Sequence, residues 1–186
     1  MRKIALFGTS ADPPTAAHQA ILQWLSAQYD LVAVWASDNP FKNHQASLQH
    51  RMTMLNLLIA EIGEAQIKLY EELSHRRTLI TVGKAREIWG KEVEFILVIG
   101  SDLVSQISSW YEVEKLLAQV QLLIVPRPGY MIEKDALIRL KSLGGKWAIA
   151  DLVAPPISST AYRNNNNKSA ITPLVKDYIQ REELYL

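Results

Sequence analysis

Apolar positions in this chain come in two spacings, and the two alternate. Ile4-Ala5-Leu6-Phe7 is apolar at every position and stops at Gly8. An unbroken run of that length suits a strand buried on both faces. The same reading fits Leu31-Val32-Ala33-Val34-Trp35, Phe95-Ile96-Leu97-Val98-Ile99 and Leu122-Leu123-Ile124-Val125. Ile67-Lys68-Leu69-Tyr70 and Trp147-Ala148-Ile149-Ala150 are weaker versions. Between these runs the spacing becomes helical. Residues 18–27 set Ile21, Leu22 and Leu25 on one side, and residues 48–62 do so with Met52, Leu55, Leu58, Ile59 and Ile62. Segments 78–89 and 112–117 repeat the pattern. A last helix is expected over Pro173–Leu184, with Thr172 as N-cap and proline at the first helical position.

Strand followed by helix, repeated about five times, predicts an α/β fold. Right-handed crossovers make it a doubly wound, mostly parallel sheet with helices on both faces. No linker divides the chain, so one domain is expected over residues 1–186, including a C-terminal helical segment from about 157 to 186. No internal repeat is present. Arg163-Asn164-Asn165-Asn166-Asn167-Lys168 reads as an exposed polar loop.

Composition narrows the function classes. With 20 Lys+Arg against 19 Asp+Glu the formal net charge is +1, which lacks the positive excess of proteins that coat nucleic acid or anionic membranes. There is no cysteine, so disulfides, thiolate metal sites and cysteine nucleophiles are excluded. No apolar run approaches the roughly 18 residues needed to span a bilayer. A soluble cytoplasmic protein is the expectation. The oligomeric state stays open, and a homo-oligomer is compatible with everything above.

Ligands of an open α/β sheet bind beyond the carboxyl ends of its strands. The first such end reads Phe7-Gly8-Thr9-Ser10-Ala11-Asp12-Pro13-Pro14-Thr15-Ala16-Ala17-His18. Gly8 lets the backbone turn, and the two prolines stiffen the loop. Pro14 or Thr15 then opens a helix whose unpaired N–H groups suit an anion. Thr15 and His18, three apart, share one face of its first turn. A second junction, Ile157-Ser158-Ser159-Thr160-Ala161-Tyr162-Arg163, follows the last apolar run. Its hydroxyls offer caps and donors, and Arg163 bends over the helix start with a guanidinium fork that matches phosphate.

Together the two junctions resemble a known family. Gly8…Asp12-Pro13-Pro14-Thr15-Ala16-Ala17-His18 resembles the Gly-x-Phe-x-Pro-x-His-x-Gly-His box of nucleotidylyltransferases. Ile157-Ser158-Ser159-Thr160-Ala161-Tyr162-Arg163 resembles the Ile-Ser-Ser-Thr-x-Ile-Arg box of the nicotinate/nicotinamide mononucleotide adenylyltransferases. Gly100-Ser101-Asp102-Leu103 with Trp110, Arg127-Pro128-Gly129 and Val175…Tyr185 resemble further landmarks of that family. There are departures. Thr15 stands where the box has its first His, Ala17 where it has Gly, and Ser10 or Ala11 where it has Phe. Arg76-Arg77-Thr78-Leu79-Ile80-Thr81 keeps both threonines of the acid-preferring bacterial enzymes' Ser-Tyr-Thr-x-x-Thr and loses the tyrosine.

The resemblance implies a Rossmann-like nucleotidylyltransferase that moves the adenylyl group of ATP onto nicotinate mononucleotide, a step of NAD synthesis, with pyrophosphate leaving. His18 and Arg163 are then the expected catalytic pair. Gly8, Thr9, Ser10, Thr15, Gly100, Asp102, Ile157, Ser158 and Ser159 would line the ATP site. Lys42, Thr78, Trp110, Tyr111 and Arg127 would meet the second substrate. A surface lysine and a core tryptophan are the plainer readings of Lys42 and Trp110. Asp12 would brace the Pro-Pro loop. Mg²⁺ would arrive on ATP, with no dedicated metal site on the protein. The alternatives are a sibling acting on nicotinamide mononucleotide or phosphopantetheine, and a non-catalytic nucleotide-binding relative.

Overall fold

The computed structural model describes residues 1–165 and 167–186, the side chains of residues 165 and 168 excepted. Six strands form one parallel sheet: β1 (Arg2–Thr9), β2 (Leu31–Ala36), β3 (Ile67–Leu69), β4 (Val93–Gly100), β5 (Gln121–Val125) and β6 (Trp147–Ile149). Every expected strand is present. The spatial order is β3-β2-β1-β4-β5-β6. The chain winds outward from β1 through β2 to β3, then returns across β1 to β4 and winds the other way. Because crossovers are right-handed, that reversal puts the helices of the two halves on opposite faces. β2 is buried at every position, as a strand covered on both sides must be.

The seven α-helices among the described residues are α1 (Ala16–Gln28), α2 (Leu48–Ile62), α3 (Thr78–Trp89), α4 (Val113–Leu117), α5 (Lys134–Ser142), α6 (Ser159–Asn165) and α7 (Pro173–Arg181). Helix α5 was not expected: it buries only Ala136 and Leu140, too few apolar positions to stand out in its sequence. Helix α7 stops at Arg181, short of Leu184, and Glu183 and Tyr185 take left-handed φ values of 54° and 61° that turn the tail back. The asparagine run is not simply a loop. Helix α6 takes in Asn164 and Asn165, Asn166 lies outside the described residues, and Asn167 caps a short 3-10 turn over Lys168–Ala170.

Gly8 has a different reason from the expected one. A Cβ there would lie 2.6 Å from the buried Trp35 ring of the neighbouring strand, so glycine makes room for an indole. Among the described residues, no helix is long and apolar enough to cross a membrane.

Candidate active site

The reversal of winding between β1 and β4 opens a crevice at their carboxyl ends, the place where such sheets bind ligands. The loop from β1 to α1 forms one wall. Thr15 caps α1, its Oγ1 accepting the Ala17 N–H at 3.3 Å. His18 closes a capping box from the third helical position: its Nδ1 accepts the Thr15 N–H at 2.9 Å, as a Glu or Gln side chain does elsewhere. That bond fixes the tautomer, because a nitrogen that accepts carries no proton. The ring's proton therefore sits on Nε2, 3.0 Å from Thr9 Oγ1. Burial pushes the His18 pKa down to about 4, with Arg127 and Lys42 adding positive charge nearby. At neutral pH the imidazole is an uncharged N–H donor at the end of β1.

Thr15 itself has no exposed surface, and its hydroxyl is engaged in the cap. Its expected contact with an ATP phosphate gives way to a role in orienting His18.

A second set of side chains knits the loops together. Asp12 is buried, its Oδ2 accepting the Gln45 N–H at 2.7 Å, its Oδ1 the Ala46 N–H at 3.0 Å and the Tyr185 hydroxyl at 2.6 Å. Arg51, on α2 and equally buried, donates from Nη1 to the carbonyls of Ser10 and Ser37 and from Nε to that of Ala46. His44 Nε2 lies 3.2 Å from Ser10 Oγ. The loops after β1 and β2 are thus one connected body. Sequence reasoning passed over Arg51, His44 and the reach of Tyr185. Each acts across 34 to 173 residues of chain or, for Arg51, onto backbone carbonyls, and neither leaves a local spacing to read.

Helix α6 brings the other stretch to the same loop. Ser158 caps it, accepting the Ala161 N–H at 3.0 Å. Ser159 donates its hydroxyl proton to the Pro13 carbonyl at 2.7 Å, tying the start of α6 to the loop after β1. Ile157 lies half-buried at the approach to the helix. Arg163 Nη1 donates to the Asp12 carbonyl and lies 4.0 Å from Asp12 Oδ2, while Nη2 reaches back 3.4 Å to Thr160 Oγ1. His18 and Arg163 are 145 residues apart in sequence, yet both are hydrogen-bonded to the loop between β1 and α1.

The ends of β4 and β5 face them. Arg127 Nη1 pairs with Asp102 Oδ2 at 2.8 Å, and its backbone N–H donates to Ser101 Oγ. Gly100 permits this: a Cβ there would lie 2.4 Å from Asp102 Oδ1 and 3.1 Å from Arg127 Cδ. A cavity of about 390 Å³ opens beside Ser101, Asp102 and Tyr130. Lys42, from the loop after β2, has its pKa lowered by burial, held up by Asp102 and lowered further by Arg127 and Arg163. Arg127 and Lys42 thus act on His18, and Lys42 in turn feels Asp102, Arg127 and Arg163.

On the β3 side, Thr78 opens α3 and the Arg77 side chain makes no capping bond, so the first N–H groups of that helix have no side-chain partner from it. The Arg77 guanidinium lies 4.2 Å from the centre of the Tyr111 ring. Arg76 turns instead to Asp38, 3.2 Å away. Trp110 is half-buried and packs on the core, while Tyr111 is exposed. The structure thus brings Arg77, Thr78 and Tyr111 together and leaves Arg76 outside that group.

The chain matches the family model described as cytidylyltransferase-like over residues 6–165. It is 48% identical to a Synechocystis protein named "Probable nicotinate-nucleotide adenylyltransferase", with 98% of each chain covered. Two solved structures of Plasmodium falciparum nicotinic acid mononucleotide adenylyltransferase superpose on the whole chain and on 98% of their own. The complex with NaAD gives a TM-score of 0.83 at 25% identity, and the complex with APC gives 0.79 at 26%.

Proposed function

The chain belongs to the cytidylyltransferase-like family, and on that premise we propose that it transfers the adenylyl group of ATP to nicotinate mononucleotide, giving deamido-NAD and pyrophosphate. The observation that carries this reading is the meeting of His18 and Arg163 on one loop, with Lys42 and Arg127 acting on His18. In the reaction a phosphate oxygen of the mononucleotide attacks the α-phosphorus of ATP. The bond from that phosphorus to the bridging oxygen breaks, and pyrophosphate takes the electron pair. No protein nucleophile is needed; positioning and neutralisation of charge supply the acceleration.

His18 offers its Nε2–H to a phosphate oxygen at the reacting phosphorus, exchanging the Thr9 hydroxyl for the ligand. Arg163 takes the β- and γ-phosphates, for which its planar fork is suited. Lys42 neutralises the mononucleotide phosphate. Thr9, Ser10 and Ser158 complete the ATP side, and Asp102 turns toward the adenosine. Arg77, Thr78 and the open turn of α3 favour a carboxylate over a carboxamide on the pyridine ring, with Trp110 or Tyr111 as the stacking partner. Mg²⁺ carried on the ATP phosphates, with no protein carboxylate required to hold it, would neutralise part of their charge when bound. The nearby carboxylates fit that route, since Asp102 is paired with Arg127 and Asp12 already accepts two N–H groups and one O–H. The ATP supply and the absence of cysteine suit the cytoplasm.

The test is to incubate the protein with MgATP and, in turn, nicotinate mononucleotide, nicotinamide mononucleotide or phosphopantetheine, and to follow pyrophosphate. The expected order has nicotinate mononucleotide fastest. Release with phosphopantetheine alone overturns the assignment.

A further inference from the structure

The pairing of β1 with β2 gives out where the loops that follow them begin. Among the described residues, the last backbone bond between the two runs from the Ser37 N–H to the Thr9 carbonyl at 2.8 Å. The next carbonyl on each side, that of Ser10 and that of Ser37, is aimed at one atom, Nη1 of Arg51, at 3.0 and 2.8 Å. Nε of the same guanidinium holds the Ala46 carbonyl at 3.2 Å, at the far end of the loop after β2. Arg51 stands in the first turn of α2, behind its N-cap Ser47, and only 2% of it is exposed.

Two buried carbonyl oxygens that converge on one place repel each other unless a donor stands between them. Nη1 carries two N–H groups and can serve both, while Nε–H serves the third. Because the guanidinium is planar and rigid, it holds three oxygens from two loops at fixed positions relative to one another. The other ties between these loops lie elsewhere. Asp12 takes the Gln45 and Ala46 N–H groups, and His44 meets the Ser10 side-chain hydroxyl, so the Ser10 and Ser37 carbonyls are left to Arg51. Holding the Ser10 carbonyl also secures Ala11, which is buried with a left-handed φ of 47°, backbone that disfavours a residue with a Cβ.

We propose that Arg51 is a positioning residue: it sets the distance between the loop after β1 and the loop after β2, and with it the approach of the mononucleotide phosphate to the α-phosphorus of ATP. The inference rests on the reading above, with ATP on the first loop and the mononucleotide phosphate at Lys42 on the second. Spacing of this kind governs a ligand that spans both loops, and the transfer step itself, more than it governs either substrate alone.

The experiment compares wild type with Arg51→Lys, which keeps the charge but offers one rotating nitrogen, and with Arg51→Met, which offers no donor. Calorimetry gives the Kd for a non-hydrolysable ATP analogue, for nicotinate mononucleotide and for deamido-NAD, the product that joins the two. Pyrophosphate release gives kcat per folded molecule, the folded fraction being read by circular dichroism. Both variants are expected to bind each separate substrate within about threefold of wild type, to bind deamido-NAD about tenfold more weakly, and to lose roughly 10²-fold in kcat, the scale of a misplacement of about 1 Å. A kcat per folded molecule and a deamido-NAD Kd equal to wild type, even with a lower Tm, overturn the proposal and leave Arg51 a structural role. Equal weakening of all three ligands, or loss of the fold in both variants, overturns it as well. In each of those cases the reading of the reaction stands, because wild type still transfers to nicotinate mononucleotide. A wild type that transfers nothing to that acceptor overturns the reading, and this proposal with it.

Discussion

His18 does two things with one ring, and a single substitution can part them. Its Nδ1 accepts the Thr15 N–H and closes the start of α1, while Nε2–H points to the end of β1. Glutamine at the same position keeps a side-chain acceptor for the cap and loses the imidazole. His18→Gln is therefore expected to lower kcat by roughly 10²-fold, the scale of losing one preorganised donor, with Tm close to wild type. His18→Ala should lose the same activity and in addition about 1 kcal/mol of stability from the opened cap, read from urea unfolding. Acid separates the variants again. The folded chain holds the ring near pKa 4, against 6.5 for an unperturbed histidine. Between those values the unfolded chain binds a proton that the folded chain refuses. The contribution is complete above about pH 6.5 and is lost as the pH falls toward 4. Wild type should thus lose stability relative to His18→Gln over that window, and NMR should titrate the His18 ring near pH 4. A ring titrating at 6.5 would refute the buried, neutral imidazole. At this scale the sequence was informative where partners lie three residues apart, as with His18 and Thr15 or Arg163 and Thr160. It was mute where a side chain spans the fold: nothing near Arg51 says that it gathers the Ser10, Ser37 and Ala46 carbonyls.

Helix α7 shows the same limit one level up. Thr172 followed by proline reads as a capped start, and the helix does begin there. The Thr172 hydroxyl, however, makes no capping bond and has no partner among the described residues. Glu61, at the far end of α2, supplies the cap, its Oε1 accepting the Leu174 N–H at 2.8 Å. Glu61→Ala should cost about 1 kcal/mol in urea unfolding, as loss of a cap and of a negative charge at a helix start. Thr172→Val, similar in shape, should change stability by less than about 0.5 kcal/mol. The reverse ranking would restore the local cap. Strands were easier to read than helix ends, because a strand such as Leu31–Ala36, covered on both faces, must be apolar throughout. Helix α5 escaped notice for the opposite reason, touching the core through Ala136 and Leu140 alone.

Across the whole molecule, the order β3-β2-β1-β4-β5-β6 decides where chemistry can occur. Both motif-bearing junctions follow strand runs in the sequence, so the place of the candidate site could be proposed before its geometry was known. What the motifs left unstated is how the site is held. Asp12 and Arg51 join the loops after β1 and β2, and α6 and the chain terminus close on the same loop from the other side. One consequence is practical. Met1 lies at the amino end of β1, and an eight-residue strand separates it by about 26 Å from the loop that Tyr185 touches. An affinity handle fused ahead of Met1 would hang on the far side of the sheet from that loop, whereas one fused after Leu186 would start one residue from Tyr185, which touches it.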